Sequence, residues 1–153
     1  MKRFGIVLAV AVLSSVFISG CAKMAIEKTI SEFEDAVNKE DAEALEDIMS
    51  PDSDFYVTAT FDTFLDYFDG FRDVKYNNLN IDVDGRDAEV YADGTYNLGE
   101  QGEITEGVLF WMRREEALLA FIFPDYKVYR YYDLDNFSDP VWQKLKEKPV
   151  YVE

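Results

Sequence analysis

Apolar side chains recur along this chain with two different periods, and the change of period divides it. From Ala25 to Asn38, Ile26, Ile30, Phe33 and Val37 follow at steps of four, three and four, with Ala36 beside them. Glu27, Lys28, Glu32, Glu34 and Asp35 occupy the other faces. That spacing predicts an amphipathic helix, and Asn38 suits its end. Asp41 then stands where its carboxylate can accept hydrogen bonds from the free amides of a second, shorter helix running through Met49. Leu45, Ile48 and Met49 give that helix a buried side, and Pro51 stops it. Asp54 to Thr60 alternates Phe55, Val57 and Ala59 with more polar neighbours, which predicts a short strand. Phe61, Phe64, Leu65 and Phe68 then form one stripe of a third helix, ended by Gly70.

After Gly70 the period falls to two. Leu79, Ile81 and Val83 alternate as far as Asp84-Gly85, a strong hairpin signal. The return strand puts Ala88, Val90, Ala92, Tyr96 and Leu98 on one face, with Glu89, Tyr91, Asp93 and Asn97 on the other. A turn over Gly99 to Gly102 leads to a strand in which Ile104, Val108, Phe110 and Met112 share a face opposite Thr105, Leu109 and Trp111. Ala117 to Phe123 is apolar throughout and predicts a central strand covered on both sides. Pro124-Asp125 separates it from a final aromatic strand, Tyr126 to Asp133, and one helical turn is expected near Val141 to Leu145 in the tail. Helices first and antiparallel strands after make an α+β pattern, and no repeat or low-complexity linker divides it.

In this order of elements the chain resembles the nuclear transport factor 2-like superfamily, the cone-shaped folds that include ketosteroid isomerases. Phe33, Ala36, Asn38, Asp41, Leu45, Ile48 and Met49, followed by Asp54-Phe55, carry the resemblance: a long helix ends, an Asp caps a short one, and a strand begins. The match of element order covers most of residues 24–133. The resemblance implies N-terminal helices packed in the concave face of a curved, mostly antiparallel sheet, with a pocket open at one end. Dimerisation through the outer sheet face is common in that superfamily, and many of its members are not enzymes.

Ahead of the first amphipathic stripe lies a different kind of segment. Lys2 and Arg3 precede an apolar run from Phe4 to Ile18, broken only by Gly5, Ser14 and Ser15. A membrane span needs about 20 apolar residues, so this run has the form of an export signal. Ile18-Ser19-Gly20-Cys21 resembles a bacterial lipobox: an aliphatic residue, two small residues that fit the signal peptidase, and a Cys whose sulfur takes a diacylglyceryl group. The resemblance implies that residues 1–20 are a signal peptide and that Cys21 is the lipidated first residue of the mature protein. Residues 21–153 are then one domain, with a core over 24–133 and a tail over 134–153. Cys21 is the only cysteine in the chain, and an acylated thioether is inert where a free thiol is exposed to oxidation. The expected location is the cell envelope, lipid-anchored to a bacterial membrane and facing away from the cytoplasm.

Composition narrows the chemistry. The chain has 15 Lys and Arg against 31 Asp and Glu and no His, a net charge of −16. Removing residues 1–20 takes away Lys2 and Arg3 and no acid, which leaves −18 on the exported part. Nucleic acid is excluded as a partner, since phosphate binding needs clustered Lys and Arg. An anionic membrane would repel such a body, so the lipid supplies the attachment and the body is expected to stand off. Without His there is no His-centred triad and no His-ligated zinc or haem. No phosphate loop, nucleotide fingerprint or nucleophile elbow is present, so no cofactor and no catalytic residue are assigned.

The remaining candidates are a few side chains. Glu106 interrupts the apolar face of its strand, as a desolvated base or ligand anchor, or else as a strand-end acid that reaches solvent or pairs with Arg113 or Arg114. Phe110 and Tyr126, in the dense aromatic group with Trp111, Tyr129, Tyr131 and Tyr132, line a pocket for an apolar ligand, pack the core, or form a dimer face. Asp133, Asp135, Asn136 and Asp139 fail as a calcium loop, because Phe137, Ser138 and Lys144 occupy required positions, so no metal site is assigned. The expected function is a binding module for a small apolar ligand or a protein, membrane-attached through Cys21 and able to form a homodimer through its sheet. The alternative is a small lyase, isomerase or hydrolase using Asp, Glu and Tyr in the cone.

Overall fold

The computed structural model describes residues 2–51, 70–116 and 124–133; the side chains of residues 2–19, 101, 132 and 133 lie outside that description. Helix α1 runs over Lys2–Lys39 and helix α2 over Ala42–Ile48. Strands β1 (Arg72–Asp84), β2 (Asp87–Asn97), β3 (Glu103–Arg114) and β4 (Tyr126–Asp133) follow, with a single 3₁₀ turn at Gly99–Gln101 between β2 and β3. The four strands form an antiparallel meander in the order β1-β2-β3-β4. The architecture is α+β, with two helices packed against one face of a curved, open sheet, a shape compatible with a cone.

The amphipathic stripe of α1 is the core of the molecule. Ile26, Ile30, Phe33, Ala36 and Val37 are all buried, against Val90, Val108, Phe110, Met112 and Val128 of the sheet. Asp41 caps α2 as its position suggests: its carboxylate accepts from the Ala44 amide at 3.0 Å. After α2 the chain joins the sheet edge, where the Ser50 amide donates to the Val128 carbonyl at 2.8 Å.

Strand β1 begins seven residues before the alternation that predicts it. Val74 and Tyr76 are buried, and two irregularities follow the left-handed backbone of Asp73 and Asn78, with φ of 56° and 53°. Asp and Asn tolerate that region better than other side chains. The irregularity at Asn78 moves the inward face from even to odd positions, so Leu79 and Ile81 now pack against the core. An extra residue in β4 does the same, putting Tyr126 and Val128 inward on one side of it and Tyr131 on the other. At Gly94 the sheet approaches closely: a Cβ there would meet Val108 Cγ1 at 3.1 Å and the Tyr76 ring at 3.4 Å.

The strand expected over Asp54–Thr60, the helix after it, the apolar run Ala117–Phe123 and the tail beyond Asp133 lie outside the described residues.

Candidate functional site

Ile18, Ser19, Gly20 and Cys21 lie within α1, which continues unbroken through them. Gly20 is exposed and Cys21 half-buried, a free cysteine in this structure. The next residue, Ala22, is already part of the hydrophobic core at 6% exposure, and Ile26 one turn on is fully buried. Between the candidate acylated residue and the packed domain there is no linker at all. Among the residues whose side chains are described, no helix is long and apolar enough to cross a membrane.

The three side chains singled out for a pocket share the helix-facing side of the sheet but not one place on it. Glu106 pairs with Gly94, Phe110 with Val90 and Tyr131, and Tyr126 with Arg114. Along β3 those rows are separated by four residues each, about 13 Å per step, so the three do not converge. Phe110 is fully buried under an edge-on contact with Phe33, ring centroids 5.3 Å apart. Tyr76 and Tyr131 close around the same pair, at 5.0 and 5.1 Å from the Phe110 ring. Rings therefore fill the space between α1 and the sheet at this level, where a cone pocket is expected to open. Glu106 is half-buried, and roughly 23 Å of strand separates it from Arg113, which faces Asp87 at 3.7 Å instead.

A groove of about 440 Å³ lies elsewhere, between α1, α2 and the start of β4. Tyr126 is the only one of the three that lines it, beside Lys28, Thr29, Asp35, Lys39, Asp47 and Lys127. Its ammonium groups are each held by an acid or a carbonyl. Lys28 meets Glu32 at 2.7 Å, Lys39 meets Asp35 at 2.9 Å, and Lys127 donates to the Asp47 carbonyl at 2.7 Å with Asp125 at 3.4 Å. The hydrogen bond from Lys28 to Glu32, and then their attraction, raise the Lys28 pKa. The Thr29 hydroxyl, buried at the floor, donates within 2.9 Å of the Tyr126 carbonyl. Burial raises the Tyr126 hydroxyl above its ordinary value, so it stays protonated near neutrality and serves as no base. Alternating, pre-paired charges suit recognition of a polar partner more than an apolar molecule. Sequence reasoning missed this groove because its lining is the polar flank of α1, which periodicity alone assigns to solvent.

Among the described residues no cluster of three or more Asp, Glu or Cys side chains is arranged to hold a metal ion. On the sheet face turned away from α1, Leu109 and Trp111 are buried, and Tyr91 is exposed. No protein family model matches this chain, and no curated protein matches it either.

Proposed function

We propose that this chain is a lipid-anchored cell-envelope protein, acylated at Cys21, whose nuclear transport factor 2-like domain is a binding module without catalysis. The observation that carries the reading is Ile18-Ser19-Gly20-Cys21 placed after a basic start and a short apolar run, with its cysteine unique in the chain. The diagonal of α1 across a curved meander and the Asp41 cap of α2 support the domain assignment. An isomerase-like site needs acids and a tyrosine converging in the cone. The ring packing of Phe33, Tyr76, Phe110 and Tyr131 at that place favours binding over chemistry. Binding is then a matter for the charged groove beside Thr29 and Tyr126, whose partner is a polar segment or small polar molecule.

The test is Cys21→Ala in a bacterial host. The variant should accumulate as an uncleaved precursor that takes up no radiolabelled palmitate. Labelling at the wild-type level would overturn the assignment.

A further inference from the structure

We infer that the end of the sheet formed by the β1–β2 turn, the end of β3 and the start of β4 is a membrane-facing surface, seated on the lipid bilayer. This deepens the anchoring reading and rests on it. Helix α1 crosses the sheet diagonally. Near its C-terminus Asn38 is hydrogen-bonded to Val74 of β1, and further back Thr29 is bonded to Tyr126 at the start of β4. Tyr126 pairs with Arg114, and the next rows are Arg113 with Asp87 and Asp87 with Asp84. Thr29 therefore sits at the last row of the sheet, and Cys21 lies about 12 Å further along the helix axis on that side.

Slack in the tether decides how far the body can stand away. Ala22 is 6% exposed and packed in the core, so the acylated residue is joined directly to the folded body. One residue spans at most about 3.6 Å, which leaves the domain no room to stand off from the headgroups. Two of the three exposed large apolar side chains among the described residues also lie at this end: Met24 at 67% and Val83 at 40%.

Ion pairing favours the same orientation. At the near end Arg86 pairs with Glu116, Arg113 with Asp87, and Lys127 with Asp125, which offsets part of the negative charge that Asp82, Asp84, Glu89 and Glu115 also bring there. The far end of the β2–β3 hairpin carries Asp93, Glu100, Glu103 and Glu106, and no Lys or Arg occurs between Asp87 and Met112. Arg72 and Lys75 at the start of β1 offset only part of that excess. The eleven residues of β2 hold the two ends about 35 Å apart, several times the screening length of about 8 Å at physiological salt. Seated on its near end, the domain keeps the acids of the far hairpin out of reach of anionic headgroups, and the ion pairs of the near end lessen the repulsion there; lying flat, it would present both.

The experiment uses the full lipoprotein, purified from its host and reconstituted into phosphatidylcholine vesicles containing phosphatidylglycerol. With the Cys21 sulfur acylated, an introduced cysteine is the only free thiol. Val83→Cys and Met24→Cys report the near end, and Glu100→Cys and Glu103→Cys the far end; all four positions are exposed. Each carries an environment-sensitive fluorophore, and the vesicles carry a headgroup-linked nitroxide quencher. Quenching several-fold stronger at Val83 and Met24 than at Glu100 and Glu103 is the expected result. Equal quenching at both ends, or stronger quenching at the far end, overturns the orientation. The mass of the N-terminal peptide, measured before reconstitution, separates the two failures: an unmodified Cys21 overturns the anchoring reading itself.

Discussion

Tyr126 stands where α1, β3 and β4 meet, and its environment makes it sensitive to alkali. Burial raises its hydroxyl pKa most, the Arg114 guanidinium opposes that, and the Asp87 carboxylate adds to it. The folded value therefore lies above the unfolded value of about 10. Stability from this group is complete below that unfolded value and is lost as pH rises through the folded one, because the unfolded chain releases its proton first. Tyr126→Phe should flatten this part of the alkaline decline, read as urea midpoints from about pH 8 to about pH 11. A decline as steep as in the parent would place the sensitivity elsewhere.

Asn38 shows how one side chain fixes the relation between elements. Its amide donates to the Val74 carbonyl at 2.8 Å and its oxygen accepts from the Val74 amide at the same distance. The Tyr76 amide donates to Glu34 at 3.0 Å, so the last turns of α1 supply β1 with partners that a neighbouring strand would otherwise provide. Asn38→Ala leaves both Val74 groups unsatisfied and should cost about 1–3 kcal/mol. Asp41→Ala, which removes only a helix cap, should cost about 1 kcal/mol. Equilibrium urea denaturation of the two variants orders them, and equal losses would mean that Asn38 acts only as a helix end. The sequence marks Asn38 as such an end, because local pattern carries no information about a strand 36 residues later. The same limit explains β1: alternation is readable at Leu79 and Ile81, but the phase change at Asn78 hides Val74 and Tyr76. Strands β2 and β3 were legible because eleven consecutive pairs join them without a break. The ring packing around Phe110 was not, since it joins α1, β1, β3 and β4, which only the fold brings together.

For the molecule as a whole, the net charge matters less than where it lies. A body of charge −18 is expected to be pushed from an anionic bilayer, yet the core begins at Ala22 and leaves no linker over which it can retreat. In the proposed orientation Glu100, Glu103 and Glu106 lie at the end farthest from Cys21, which takes part of the domain's negative charge away from the bilayer. With Cys21 acylated as proposed, two or three acyl chains at about 0.8 kcal/mol per buried CH₂ would far outweigh the remaining repulsion. All of this depends on the chemistry of one sulfur atom. The most direct measurement is the mass of the N-terminal peptide of the protein extracted from its own membranes. A peptide that begins at Cys21 and carries a diacylglyceryl group is the result expected; one that begins at Met1, or an unmodified Cys21, would contradict it.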